Sequence, residues 1–332
     1  MNKKYLVITT GGTIASAVTE KGLAPKMSPE ELVTYFKPNP ETELDVKPLM
    51  AKDSTNMQPE DWLLIAENIK AEEKNYDGFI VTHGTDTMAY TAAALSYLLY
   101  RFTKPVVMTG SQIPLGMQYT DAESNLQDAL LFISDTDLTG VFIVFNGLAM
   151  VGTRAVKTKT QSYDAFESIN YPYVARIMHG KINHMYQPKP ESLDLPARNK
   201  LVLDPNIFML KAFPGMTVDI FDYLLEHAHA VIIESFGNGG LPFERRNLLP
   251  GIQKLTDAGI PVVITTQILE EGQDIALYEV GQRVVEAGGI TAGDMNTEAI
   301  VAKLMWLLAY TQDMAEITHL LQTPMAHDMG FD

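Results

Sequence analysis

Six short apolar runs, each rich in β-branched or aromatic side chains, recur along this chain of 332 residues. Runs without interrupting polar residues are typical of strands in a parallel sheet that is buried on both faces. Segments with helical periodicity lie between several of them. The pattern therefore predicts an α/β protein with a mostly parallel sheet flanked by helices. The runs cover residues 5–8, 79–81, 106–108, 141–145, 231–233 and 262–264.

Four helices are predicted from capping residues and apolar stripes. The segment 28–31, Ser-Pro-Glu-Glu, has the composition of a capping box with proline at the first helical position. Another helix begins at Pro59, a third follows Asp86, and a last one follows Asn296. The apolar stripes of the last three helices are, in chain order, Trp62, Ile65, Ala66 and Ile69; Met88, Ala92, Leu95 and Leu99; and Ile300, Leu304, Leu307 and Leu308.

Helical periodicity disappears between about Gln187 and Pro205, where prolines are interspersed with charged residues. Such a segment is typical of a linker. We therefore predict a larger N-terminal domain over residues 1–187, a linker over 188–205, and a smaller C-terminal α/β domain over 206–332.

Charge and cysteine content exclude several classes of protein. Lys and Arg number 25 against 41 Asp and Glu, and a net charge of −16 repels nucleic-acid phosphates and anionic lipids. No run reaches the roughly 18 apolar residues of a membrane span, and the run from Tyr5 is too short for a secretory signal. The lack of Cys excludes thiol nucleophiles and cysteine-based metal sites. We expect a cytoplasmic protein that binds neither nucleic acid nor membrane.

Hydroxyl, glycine and amide residues follow the predicted strands at their carboxyl ends. In an open parallel sheet these ends meet at one edge, where ligands bind in a crevice. Glycines let backbone N–H groups approach a ligand, and a helix N-terminus behind them favours an anion or a developing oxyanion. Asp86 is the one conspicuous carboxylate there. The segments are 9–13, 82–87, 109–112, 146–147, 235–240 and 265–267.

Each of these features also has a purely structural interpretation. Thr10–Thr13 could form only a strand-to-helix turn, and Thr85 or Asp86 could only cap the following helix. His83 is interpreted as a hydrogen-bonded packing residue, because no G-x-S-x-G segment supplies a serine. Lys157 lies in a basic segment that could be solvated; alternatively, a desolvated lysine beside a threonine hydroxyl can accept its proton.

Nucleotide and metal motifs are absent. Neither G-x-x-x-x-G-K-[ST] nor G-x-G-x-x-G occurs, and the seven histidines contain no H-E-x-x-H. We expect no metal and no cofactor.

Thr10-Gly11-Gly12-Thr13-Ile14 and His83-Gly84-Thr85-Asp86-Thr87 resemble the two signature motifs of the bacterial-type L-asparaginase family, in their usual order and separation. Segments 53–57, 109–114 and 295–299 extend the resemblance to the cytoplasmic type I branch, from end to end of the chain. The resemblance implies an enzyme that hydrolyses L-asparagine to L-aspartate and ammonia, with weak activity on glutamine, without a cofactor, as a homodimer or homotetramer.

The resemblance also implies the catalytic residues. Thr13 resembles the nucleophile that forms an acyl-threonine ester. Thr85, Asp86 and Lys157 resemble a second catalytic group, in which Lys157 lowers the cost of deprotonating Thr85. Either threonine could attack first, and we favour Thr13. The N-terminal domain would then be the catalytic one.

Substrate binding is implied for the residues around these threonines. The N–H groups of Gly12 and Thr85 would form the oxyanion hole, and Ser54, Thr55 and Asp86 would hold the α-carboxylate and α-ammonium groups. Together the expected substrate-binding residues are Gly12, Ser54, Thr55, Gly84, Thr85 and Asp86.

The chain departs from the family pattern at three positions. Many relatives have a tyrosine in the lid after the first signature, whereas residues 15–27 contain none and Leu23 aligns with it. Glu234 and Ile268 stand where an allosterically activated relative has an arginine and a cysteine of its effector site. These replacements disfavour that effector site, and the sequence leaves activation by asparagine open.

Two other functions stay open. The chain could be an amidase-type subunit that delivers ammonia to a partner, as in archaeal amidotransferases acting on charged tRNA. Those subunits carry an additional N-terminal domain, whereas the first strand here is predicted from residue 5, and the net charge of −16 disfavours RNA. A non-catalytic binder of amino acids would leave Thr13 and Lys157 unexplained.

Overall fold

The computed structural model of the chain describes residues 3–19, 22–25, 28–189, 193, 195 and 200–330. The chain divides into two compact units, with the boundary between Leu201 and Val202. Residues 190–192, 194 and 196–199 of the predicted linker lie outside the described residues, and the domain limits at 187 and 206 stay predictions. No described helix is long and apolar enough to cross a membrane.

The four apolar runs predicted as strands in the first unit all form strands, and further strands accompany them. The strands are β1 (Lys3–Gly11), β2 (Ser16–Thr19), β3 (Gly22–Pro25), β4 (Thr42–Lys52), β5 (Gly78–Thr82), β6 (Pro105–Thr109), β7 (Gly140–Phe145), β8 (Leu148–Val151), β9 (Ala155–Lys157), β10 (Phe166–Ser168), β11 (Ala175–Met178) and β12 (Lys181–His184).

Eight of these strands form one sheet in the order β12-β11-β8-β7-β6-β5-β1-β4. The strands β4, β1, β5, β6 and β7 are parallel, whereas β8, β11 and β12 extend the sheet in antiparallel fashion. The prediction of a mostly parallel sheet is confirmed. After β4 the chain crosses β1 and adds β5 on the other side, so the strand order reverses at β1. Ligands of open parallel sheets bind at the carboxyl side of such a switch point.

The helices of the first unit bury apolar faces against this sheet. Pro59 occupies the first turn of its helix, and the predicted stripe from Trp62 to Ile69 is buried. In the next helix every residue except Tyr90 is buried, so the predicted stripe was too narrow. The helices are α1 (Pro29–Val33), α2 (Pro59–Ala71), α3 (Met88–Leu98) and α4 (Ala122–Asp135), and 3₁₀ turns cover Thr13–Ala15 and Ser54–Asn56.

The second unit is a smaller α/β layer structure. Its strands β13 (Ile207–Lys211), β14 (Ala230–Ser235), β15 (Val262–Thr266) and β16 (Ile290–Thr291) form a parallel sheet in chain order. Its helices are α5 (Ile220–His227), α6 (Leu249–Asp257), α7 (Glu279–Glu286), α8 (Thr297–Tyr310) and α9 (Met314–Leu321). The predicted smaller α/β domain is confirmed.

A fully buried ion pair joins α8 to the chain that follows α9. The Lys303 ammonium lies 2.8 Å from Oδ2 of Asp328, and neither side chain is exposed. Lys303 also donates to the carbonyl oxygens of Leu321 and Thr323, at 3.1 and 2.8 Å. Charged side chains that are buried away from water need a counter-ion and additional hydrogen bonds to offset the loss of hydration.

The sequence analysis did not predict the helices α4, α5, α6, α7 and α9, nor the strands that lie outside its six apolar runs. The helix after Asn296 was predicted to be the last one, but α9 follows it. The edge strand β4 was not predicted, because charged residues and Pro48 interrupt its half-buried apolar positions. The edge strand β13 was also missed, although its first four residues are a continuous apolar run.

Candidate active site

The loops after β1 and β5 touch at the switch point. A Cβ atom added to Gly12, whose φ is +82°, would lie only 2.3 Å from the Gly84 nitrogen. Only glycine allows this backbone-to-backbone contact. Because Thr13 directly follows Gly12 and Thr85 directly follows Gly84, the backbones of the two signature loops meet immediately before these threonines.

Lys157 reaches the second of these loops from the β9–β10 hairpin, where it is the last residue of β9. Its Nζ atom lies 2.8 Å from Oγ1 of Thr85 and 2.7 Å from Oδ1 of Asp86. The lysine side chain is 15 % exposed, whereas that of Asp86 is 55 % exposed. A lysine withdrawn from water and bonded to a threonine hydroxyl is not a solvated surface residue, so the structural alternative for Lys157 is wrong.

The helix-capping alternative for Thr85 and Asp86 is also wrong. Thr87 is the N-cap residue of α3, and its side chain makes no capping hydrogen bond. The Thr85 hydroxyl and the Asp86 carboxylate instead bond to Lys157. Thr10, by contrast, has a structural role, because its hydroxyl donates to the carbonyl oxygen of Thr82 at 2.8 Å and ties β1 to β5.

The 3₁₀ turn that follows β4 brings Ser54 against the second signature. The N–H of Asp86 donates to Oγ of Ser54 at 3.2 Å, and the Thr87 hydroxyl donates to the Ser54 carbonyl oxygen at 2.7 Å. The Thr55 hydroxyl donates to Oδ1 of Asp53 at 2.7 Å. Ser54 therefore still has its own hydrogen to donate, whereas Thr55 can offer only lone pairs to a ligand.

The prediction that the Gly12 N–H is an oxyanion donor is wrong for this arrangement. That N–H donates to the carbonyl oxygen of Lys52 at 2.9 Å, because β1 and β4 stay paired to the end of the strand. The Lys52 ammonium in turn holds the Asp61 carboxylate through both oxygens, at 2.6 and 2.7 Å. Gly12 therefore shapes the site through its close approach to Gly84 and not through its N–H.

His83 is a packing residue, as the sequence analysis interpreted it. It is fully buried, with Nδ1 2.7 Å from the Gly84 carbonyl oxygen and Nε2 3.0 Å from the Thr91 hydroxyl. Burial lowers the pKa of the imidazole to about 4, although the bond to the Gly84 carbonyl opposes the shift. A neutral ring that donates from Nδ1 and accepts at Nε2 satisfies both contacts.

Gln112 is a site residue that the sequence analysis did not select. Oγ1 of Thr85 donates to Oε1 of Gln112 at 3.1 Å, and Nε2 of Gln112 donates to the carbonyl oxygen of Ser162 at 3.1 Å. Its segment, 109–112, was noted for polar residues at the end of a strand. That position is the signal that could have identified it.

The structure leaves the lid untested. Leu23 lies on β3, and its side chain is outside the part of the chain that the structure describes. Among the described residues, no three His, Asp or Glu side chains come together in a group that could hold a metal ion.

Family models match both parts of the chain. The model described as "Asparaginase, N-terminal" matches residues 4–190, and "Glutaminase/Asparaginase C-terminal domain" matches residues 206–321. The chain belongs to the asparaginase family. The two signature threonines and the lysine thus stand in an asparaginase fold, and the resemblance seen in the sequence is confirmed.

Individual asparaginase relatives cover nearly the whole chain. L-asparaginase 1 of Escherichia coli is 36 % identical over 96 % of this chain and 95 % of its own length. The solved structure of the thermostable L-asparaginase from Thermococcus kodakarensis has a TM-score of 0.91 and 36 % identity, over 99 % of this chain and 100 % of that one. A glutamyl-tRNA(Gln) amidotransferase subunit of Pyrococcus horikoshii is 33 % identical over 97 % of this chain and 76 % of its own length.

Proposed function

We propose that this asparaginase-family chain hydrolyses L-asparagine to L-aspartate and ammonia. The observation that carries the proposal is the Lys157 ammonium, which bonds to Oγ1 of Thr85 and Oδ1 of Asp86 beside the Thr13 loop. Relatives named L-asparaginase, similar over nearly their full length, support it. Weak activity on L-glutamine belongs to the same proposal.

In the first half of the reaction, Oγ of Thr13 attacks the side-chain amide carbon of asparagine. The hydroxyl proton of Thr13 passes to the leaving nitrogen, ammonia departs, and an acyl ester on Thr13 remains. Thr85 is placed to mediate this proton transfer, since Lys157 at 2.8 Å stabilises negative charge on its oxygen. The Thr85 N–H is proposed as an oxyanion donor.

In the second half, water adds to the ester carbon, its proton returns to Oγ of Thr13, and aspartate leaves. The same pair, Thr85 and Lys157, activates the water. A threonine hydroxyl is a weak nucleophile at neutral pH, so proton transfer through Thr85 and the oxyanion donor supply most of the rate enhancement.

The substrate's charged groups fit the remaining polar side chains. Asp86 has its Oδ1 on Lys157 and a side chain that is 55 % exposed, so a substrate ammonium can reach the carboxylate. Ser54 has a hydroxyl hydrogen to donate to the α-carboxylate, and Thr55 can accept from the ammonium. Gly84 supports binding because it lets its loop pack closely against Ser54. A Cβ atom added to Gly84 would lie only 2.5 Å from Oγ of Ser54.

The decisive experiment measures ammonia release from asparagine by Thr13→Ala and Thr85→Ala. Each variant should lose at least about a thousandfold in kcat while its far-UV circular dichroism stays that of the wild type. Thr103→Ala is the matched control, since Thr103 is exposed and bonds only to the Glu73 carboxylate, at 3.4 Å. Full activity in both active-site variants would refute the proposal, and an ester trapped on Thr85 would reverse the roles of the two threonines.

We further propose that asparagine does not activate the enzyme cooperatively. Glu234 accepts a hydrogen bond from the Thr297 hydroxyl at 2.9 Å, and Ile268 is exposed and apolar. These side chains do not supply the cation and thiol of the relative's effector site. Initial rates against asparagine concentration should be hyperbolic, and a sigmoidal curve would contradict this.

Location and assembly are proposed from the family as well. We propose a cytoplasmic homodimer or homotetramer whose active site is completed by a neighbouring chain. Light scattering on a size-exclusion column gives the mass of the assembly, and a monomer with full activity would refute it.

A second candidate function comes from the tRNA-dependent relatives. Two of these archaeal amidotransferase proteins are about a third identical to this chain. The net charge of −16 opposes binding to tRNA. A gel-shift titration with charged tRNA decides between the two, and a complex at physiological salt would favour the amidotransferase function. Asparagine binding without ammonia release would instead indicate a binding protein.

A further inference from the structure

We propose that Gln112 is a positioning residue for catalysis, which fixes the direction of the Thr85 hydroxyl so that Lys157 stays bonded to its oxygen. The inference rests on the proposed asparaginase activity and extends it to a side chain outside the two signature motifs. The starting observation is that Oγ1 of Thr85 has two partners, Lys157 at 2.8 Å and Oε1 of Gln112 at 3.1 Å.

The donor and acceptor roles in this chain of bonds are fixed by chemistry. A lysine ammonium only donates, so Oγ1 of Thr85 accepts from Lys157. The single hydroxyl hydrogen of Thr85 is then available for the amide oxygen of Gln112. Asp86, Lys157, Thr85 and Gln112 thus form a continuous line of hydrogen bonds with Lys157 as the donor to both of its neighbours.

The amide of Gln112 cannot reverse its part in this line. Its Nε2 donates to the Ser162 carbonyl oxygen at 3.1 Å. A flipped amide would place Oε1 against that carbonyl and would present a second donor to the Thr85 hydrogen. Oε1 is therefore held toward Thr85.

The backbone under Gln112 is anchored as well. The buried carboxylate of Asp121 accepts from the N–H groups of Gln112, at 3.0 and 3.1 Å, and of Ile113, at 2.9 Å. It also accepts from Nδ2 of Asn125 at 3.1 Å, and the same Nδ2 donates to the Gly110 carbonyl oxygen at 3.0 Å. These hydrogen bonds fix the backbone of Gln112, so its side chain extends toward Thr85 from a rigid position.

Loss of the Gln112 acceptor would leave a buried donor unsatisfied, because Thr85 is only 5 % exposed. The Thr85 hydroxyl would then turn its hydrogen toward Asp86 or Lys157 and disturb the bond from Lys157. Ser54 and Asp86, which are proposed to hold the substrate, do not bond to Gln112. The change should therefore slow the chemical step and leave binding nearly intact.

The test compares Gln112→Met, which keeps the length of the side chain without its acceptor, with Gln112→Glu, which keeps an acceptor oxygen. For Gln112→Met, kcat on asparagine should fall about tenfold, the effect expected for one buried hydrogen bond, and KM should change less than about twofold. Gln112→Glu should retain several times more of kcat than Gln112→Met. Gln118→Met is the control, since Gln118 is an exposed residue of the same loop.

A double-variant cycle separates positioning from a general loss of structure. If Gln112 acts through the bond between Lys157 and Thr85, Gln112→Met should have almost no further effect on kcat in a Lys157→Met background. Additive losses, wild-type kcat in Gln112→Met, an effect confined to KM, or equal losses in the Met and Glu variants would each overturn the inference. A wild-type protein that releases no ammonia would instead refute the proposed function.

Discussion

Nζ of Lys157 lies 2.8 Å from Oγ1 of Thr85, although 72 residues separate the two in the chain. One residue belongs to a loop at the end of a parallel strand, and the other ends a strand of a two-stranded antiparallel hairpin. The sheet alone therefore does not assemble the site. The hairpin formed by β9 and β10 supplies the cation that bonds to the threonine loop.

Lys157→Met should lower kcat on asparagine by at least about a hundredfold, the usual contribution of a positioned acid–base group. The variant removes the hydrogen bonds to Thr85 and Asp86 and keeps the length of the side chain. Lys159→Met is the matched control. Lys159 lies two residues after Lys157 in the chain, and its ammonium pairs with the carboxylates of Asp164 and Glu167. Steady-state ammonia release gives kcat for both variants. Equal losses of kcat would show that activity depends on the structure of the loop and not on the Lys157 amine.

Gly12→Ala should abolish activity and destabilise the fold. Its added Cβ would lie 2.3 Å from the Gly84 nitrogen, and its φ of +82° strains any side chain. Gly116→Ala has nearly the same strain, with φ of +79°, but no atom within 4 Å of the new Cβ. Chemical denaturation should show a loss of about 1 kcal/mol for Gly116→Ala and a clearly larger loss for Gly12→Ala. Equal losses would mean that the contact between the loops is unimportant.

His83 should make the protein less stable as the pH falls from about 6.5 to about 4. Burial lowers the pKa of the folded-state imidazole to about 4, so in that range the unfolded chain binds a proton that the folded chain does not. The contribution should be at most about 3 kcal/mol, from 1.36 kcal/mol per pKa unit. Urea unfolding of the wild type and His83→Gln at pH 7.5 and 4.5 measures it. A pH dependence as steep in the variant as in the wild type would exclude His83 as the cause.

Glu298→Gln should stabilise the protein at pH 8 and have little effect at pH 4.5. Burial, with a smaller contribution from the Glu234 carboxylate, raises the pKa of Glu298 to about 7. A raised carboxyl pKa favours the protonated folded form, so its stability is present below about 4.5 and lost as the pH rises through 7. The midpoint of urea unfolding should rise for Glu298→Gln at pH 8, and Glu316→Gln, at an exposed residue of α9, is the control. Midpoints that shift equally at both pH values would contradict this cause.

Much of the fold was predictable because central parallel strands are buried on both faces. Such burial leaves continuous apolar runs, as in the segment that forms β5. β4 has no such run, since Pro48 and charged residues interrupt a half-buried edge strand. The short amphipathic helix α9 carries too few turns to stand out from its surroundings.

The candidate site was predictable where a residue follows a strand directly. Thr13 and Thr85 were found by their position after β1 and β5. Lys157 was noted for its basic segment, but its pairing with Thr85 needed the family resemblance, because no spacing along the chain shows that a hairpin brings it back to Thr85. The occupied N–H of Gly12 depends on the register between β1 and β4, which the sequence does not display.

The buried pair of Lys303 and Asp328 makes the far end of the chain part of the folding unit. A gene product shortened before Asp328 would keep the Lys303 cation in the interior without its counter-ion. Removing one partner of a buried pair costs about 3–5 kcal/mol, which is a large part of the stability of an ordinary protein. Expression trials that trim these residues should yield insoluble or rapidly degraded protein.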